Sequence, residues 1–140
     1  MAVWEHGNGS VITGVANEAL TTQQFYAVKS VTNATTQPPS TVVVDVQTTA
    51  TAILGILQDN PLINQACGVQ INGITKAAIS PSQALTGGVT YLEVDGASAT
   101  PGTLKAHASG TIVAIALETL ASTTSIAITT VMLLPANAIQ

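Results

Sequence analysis

The sequence predicts an all-β protein: a small single-domain antiparallel β-barrel over residues 23–140, an extended N-terminal arm over residues 1–22, and at most short helical turns. Three observations carry that expectation. Thr, Val and Ile, stiff at χ1 and suited to a pleated, half-buried surface, recur along the whole chain. Turn signals interrupt short apolar runs at intervals of roughly 8–12 residues, the rhythm of barrels and sandwiches. No stretch carries the 3.6-residue apolar period of a long amphipathic helix, although alanine, a helix former, is as common as threonine.

Residues 1–22 contain Gly7, Gly9 and Gly14 and no period, which is the pattern of an arm; within them 17–20 fit one helical turn. Residues 24–31 alternate as a strand, and the polar stretch 32–40 with its Pro38-Pro39 pair reads as a loop. Residues 41–46 alternate again, and 52–58 form a short apolar run. In 68–79, Val69 and Ile71 alternate with polar neighbours, Asn72-Gly73 follows, and Ile74 opens a second run. Asn-Gly accepts positive φ at both central positions, so this stretch predicts a tight type I′ hairpin. Ser80-Pro81 begins a possible helical turn through Leu85, with the serine as cap and the proline in the first position. Residues 89–94 form a strand that runs into a second turn signal, Asp95-Gly96. Two β-branched runs, 111–118 and 125–134, flank the polar cluster at 122–125 and complete the expected strands. No internal repeat is evident in the residues.

Composition narrows the function. The 140 residues are 46% hydrophobic and only 7% charged, with three lysines, no arginine and a net charge of −4. Nucleic-acid binding needs clusters of Lys and Arg to neutralise phosphates, so none is expected. The longest apolar region, 111–135, is broken by Glu118 and the 122–125 cluster, so no membrane segment is expected either. The start has no basic stretch followed by an apolar run, so no signal peptide is read. A soluble surface is usually about 25–35% charged. Thr, Ser, Asn and Gln must cover much of this one, and part of its apolar surface is expected to lie against other chains.

Residues with chemical potential are few. A nucleophilic triad needs a histidine, and only His6 and His107 exist; neither sits in a catalytic motif, and no Gly-x-Ser-x-Gly elbow is present. No catalytic residue, cofactor or metal ligand is assigned. Glu93 and Asp95 share one strand face and read as surface charge. Cys67 reads as a small buried apolar residue. Trp4, the only tryptophan, lies in the arm and suits an anchor in a partner's pocket. With Val3, Val11 and Ile12 it forms the set of candidate contacts.

From Phe25 onward an ordered series of short pieces resembles the phage head decoration (capsid cement) proteins. The pieces are Phe25-Tyr-Ala-Val-Lys29, Gly55-Ile-Leu-Gln-Asp-Asn-Pro61 and Gln65-Ala-Cys-Gly-Val-Gln-Ile-Asn-Gly-Ile-Thr-Lys76. Gly87-Gly-Val-Thr-Tyr91 with Asp95-Gly96 follows, then Ile112-Val-Ala-Ile-Ala-Leu-Glu118 before the last strand. Where that family has a glycine shortly after the proline, this chain has Asn64. The resemblance implies a virion structural protein on the outer surface of an expanded icosahedral capsid. Its partners would be the major capsid protein and itself, as a homotrimer at three-fold sites, and it would brace the shell without chemistry. The alternative is a carbohydrate- or ligand-binding β module of a phage tail or fibre, for which four aromatic residues are thin provision.

Overall fold

The computed structural model describes residues 9–32 and 41–135, which form ten strands and no helix. In chain order they are β1 (Val11–Ala16), β2 (Ala27–Val31), β3 (Val43–Val46), β4 (Gly55–Leu57) and β5 (Ala66–Gln70), then β6 (Gly73–Ile79), β7 (Tyr91–Val94), β8 (Leu104–Ala106), β9 (Ala114–Ala116) and β10 (Ala127–Leu133). The protein is all-β, as expected. It contains two closed five-stranded barrels, ordered β1-β3-β2-β4-β5 and β10-β6-β8-β7-β9.

The second barrel repeats the first strand for strand. β1 pairs β3 in parallel, as β6 pairs β8. Every other neighbour is antiparallel, and each pairing in one barrel has its counterpart in the other. Register repeats as well: Val28↔Val46 and Lys29↔Asp45 in the first barrel correspond to Leu92↔Ala106 and Glu93↔Lys105 in the second. So do bonds outside the ladders. Asn17 N–H donates to Val44 O as Ser80 N–H does to Leu104 O, and Leu20 N–H to Pro61 O as Leu85 N–H to Leu120 O. The residues conceal this, because what recurs is the in/out alternation of the strands and not side-chain identity; the charge pair even changes sign between copies.

Alternation sets the two cores. Val28, Leu57, Val69 and Ala16 fill the first barrel with Cys67 and Leu20. Leu92, Val94, Leu104, Ala116, Val131 and Ile79 fill the second. Burying a Val or Leu side chain of this kind stabilises by about 1.5–3 kcal/mol each.

The barrels are fused and not merely tethered. Ala27 and Ile56 alternate with Val28 and Leu57, so they face outward from the first barrel, yet both are fully buried in one cluster with the second barrel's interior. The start of β2 enters the second barrel's parallel seam. Ala78 N–H donates to Phe25 O, and Ala27 N–H to Gly102 O, at 2.9 and 2.8 Å. In the first barrel the corresponding seam closes on itself through Val15 N–H to Val42 O. Phe25 turns the chain into this wedge with φ at +72°, a conformation costly for a bulky residue and held here by its neighbours.

Three sequence expectations are corrected. Asn72-Gly73 does not close a hairpin: β5 pairs with β1 and β4, and β6 with β10 and β8, so the two residues link the barrels. Gly73 does take the positive φ (+80°) that was expected of it. The Asn72 side-chain oxygen accepts from Ser10 N–H and its carbonyl from Gln70 Nε2, which holds the link in place. Residues 11–16, expected in the arm, are a strand paired over five positions with β5. Val11, Thr13 and Val15 share the outer face and Ile12, Gly14 and Ala16 the inner one, so apolar residues fall on both faces and no period shows in the sequence. Residues 80–85 contain a turn at 81–82 and residues 17–20 a bend, neither helical, with Ser82 at φ +65°. By contrast, Asp95-Gly96 does begin the connection of an antiparallel pair, β7 to β8. Asn64 adopts φ +63°, the left-handed conformation that a glycine would take there and that asparagine tolerates well.

Candidate functional site

Of the candidate contacts, Val3 and Trp4 lie outside the described residues, as does His6. Val11 starts β1 and is 57% exposed. Ile12 points the other way and packs against the first barrel's core, so the two are not one surface. The turn residues Asn72 and Gly73 sit at the barrel link, and Asp95 and Gly96 at the far end of β7.

Strand pairing builds an apolar row on the surface of the second barrel. Tyr91 on β7 lies opposite Ile115 on β9, Ile115 opposite Met132 on β10, and Met132 opposite Ile74 on β6. The four make a row across the outside of the second barrel, with Tyr91, Met132 and Ile74 exposed and Ile115 half-buried. No charged residue interrupts it. Lys76 stands next to it on β6, bound to Glu118 Oε1 at 3.3 Å and to Thr130 Oγ1 at 2.7 Å. Thr130 donates in turn to Glu118, and these bonds hold the Glu118 carboxyl below its ordinary range.

A cavity of about 620 Å³ opens where the barrels meet. Gln24, Phe25, Gln58 and Gln70 line it from the first barrel; Ile74, Thr75, Lys76 and Thr130 line it from the second. Its glutamines are set by internal bonds: Gln24 Nε2 donates to Gln58 O, Gln58 Nε2 to Ile56 O and Thr75 Oγ1, and Gln70 Nε2 to Ile74 O.

Glu93 departs from its expected place on the surface. It is 1% exposed. One carboxylate oxygen accepts from the N–H groups of Ala108, Ser109 and Gly110 and contacts His107 Nδ1 at 2.8 Å. Lys105 Nζ lies 3.6 Å from the other oxygen and 3.9 Å from Asp95. Burial pushes the Glu93 carboxyl up, but the N–H groups of Ala108 and Gly110, with His107 and then Lys105, outweigh it and hold it below its usual value. The sequence held no signal for this cage, because its donors come from a loop 15 to 17 residues further on. Asp95 shares the neighbourhood, accepting from Ser80 Oγ at 2.7 Å and from Ala97 N–H. The arrangement locks the loop after β8 onto β7.

A second carboxyl is perturbed in the opposite sense. A hydrogen bond to Asp45, burial and the Asp45 charge raise Glu18 to about 7, against a smaller lowering by Lys29. Cys67 is buried in the first barrel, as expected, and burial followed by the Asp59 charge pushes its thiol up to about 11. Among the described residues no group of three or more His, Cys, Asp or Glu is placed to hold a metal ion, and no helix is long and apolar enough to cross a membrane. No family model matches this chain, and no curated protein matches it.

Proposed function

We propose that this protein is a virion structural protein that binds the outside of an expanded icosahedral phage capsid and stabilises it, as a trimer at three-fold sites. The observation that carries the reading is the ordered series of pieces from Phe25 to Glu118 that resembles the head decoration proteins. The fold is compatible with it and changes the physical picture. Both sheets close, so neither barrel offers a free ladder edge for a capsid strand to extend. Binding then falls to side chains on the barrel surface and to residues before β1. Apolar surface removed from water contributes roughly 25 cal/mol per Å², less the cost of ordering what binds. A chain with so few charges has little competing desolvation to overcome.

The cavity between the barrels favours a second reading, a carbohydrate- or ligand-binding module of a tail or fibre, because an aromatic ring and three glutamines line one pocket. Incubating the purified protein with expanded phage heads, and in parallel with a glycan array, separates the two. Saturable co-sedimentation with heads and increased resistance of the heads to heat are expected. Glycan binding without head binding would replace the first reading with the second.

A further inference from the structure

The repeated register gives each residue of one barrel a counterpart in the other, and the counterparts do not share the same surroundings. In the first barrel the row equivalent to Tyr91, Ile115, Met132 and Ile74 is Ala27, Ile56, Gln70 and Val11, paired in the same order across β2, β4, β5 and β1. There the row is covered: Ala27 and Ile56 are fully buried against the second barrel, and Gln70 is 6% exposed. Only Val11, at its end, remains open. The segment leading into the row differs likewise. Phe25 to Ala27 is wedged into a neighbouring barrel, whereas the equivalent Val89 to Tyr91 meets solvent, with Val89 67% exposed.

One barrel's row is therefore occupied by another barrel of the same fold, and no described residue covers the other barrel's row. We infer that the Tyr91–Ile115–Met132–Ile74 row is a self-association surface, and that a second copy of this chain covers it. The copy would present the β1/β3 side of its first barrel, the counterpart of the seam that receives Phe25 to Ala27. Thr13, on that side, is exposed, and Val15 and Val42 are half-buried. Because Val15 N–H and Val42 O already bond to each other, no strand can insert there. The contact between copies is side-chain packing and dissociates on dilution, unlike the fused junction within the chain. Such a contact is head-to-tail, and head-to-tail contacts close into rings when the rotation permits. Three copies would place six barrels around one axis. The inference deepens the self-association in the proposed function and rests on that reading for the number of copies.

Sedimentation velocity from about 1 to 200 µM tests it, with circular dichroism to verify that each variant folds. The wild type is expected to associate. Met132→Glu and, independently, Tyr91→Lys should leave it monomeric across that range, and Thr13→Lys should do the same from the opposite face. Leu62→Glu, at an exposed apolar position of the first barrel outside the row, should associate like the wild type. Mixing Met132→Glu with Thr13→Lys leaves one intact row and one intact receiving face, so heterodimers are expected. A monomeric wild type, or association unchanged in both row variants, overturns the inference. A Thr13→Lys protein that associates normally overturns the head-to-tail arrangement. Head binding is scored separately: a wild type that binds heads yet never self-associates defeats the inference alone, while an associating protein that ignores heads defeats the capsid reading alone.

Discussion

Glu93 and Glu18 show how two carboxyls in one small protein come to have opposite effects on stability. Glu93 is held below its usual range by hydrogen bonds made only in the folded state, so its contribution is present above the unfolded value and is lost as pH falls through the folded one. Glu18 is raised to about 7, so the folded state holds its proton more tightly than the unfolded state does. Its contribution is complete below pH about 4.5 and is lost as pH rises through about 7. Melting temperature is thus expected to fall on acidification below pH about 4 and, separately, to decline between pH 5 and 8. Glu18→Gln should abolish the second decline and leave the first, read by thermal melts across that series. Glu93→Ala removes the acceptor for three backbone N–H groups and should cost about 2–4 kcal/mol in chemical denaturation. A loss under 0.5 kcal/mol would mean that water replaces the carboxylate in that cage.

At the scale of elements, β1 carries the largest revision. An arm can be cut away; a strand that closes a barrel cannot. Residues 11–16 pair with β5 on one side and β3 on the other, and Ala16 belongs to the first core. Deleting residues 1–14 removes most of β1 and should abolish the cooperative melt, read by circular dichroism. The link at 72–73 is a second case. The Asn-Gly pair supplied the conformational freedom expected of it at Gly73, but what lies on either side belongs to different barrels. A turn signal specifies local φ and ψ; the partner strand is chosen by what each strand can bury.

For the whole molecule, the shared cluster containing Ala27 and Ile56 predicts that the two barrels unfold together. Each barrel is about 60 residues, a size at which a lone core is marginal, and the second barrel's parallel seam is completed by a segment of the first. Differential scanning calorimetry should show one transition with calorimetric and van't Hoff enthalpies in agreement. A fragment of residues 72–140 should not fold, because removing Phe25 to Ala27 leaves Ala78 N–H and Gly102 O without partners. Two resolved transitions, or a folded fragment, would show that the junction is a contact between independent domains.

Much of this architecture was legible in the residues, and the division follows the range over which each signal acts. The all-β class, eight of the strands in rough position, the turn at Asp95, the positive φ at Gly73 and the burial of Cys67 follow from period-2 alternation, β-branching and turn chemistry, all of which operate within a few residues. The existence of two barrels, the membership of β1 in the first, the three-residue β8 and the burial of Glu93 follow from contacts far apart in sequence. Alternation says which face of a strand is apolar and nothing about which strand, or which barrel, will cover it. A repeat preserved as register, with side chains exchanged as freely as Lys29–Asp45 for Glu93–Lys105, leaves little trace in the sequence because closing a five-stranded ring constrains hydrogen-bond geometry and inward volume far more than residue identity.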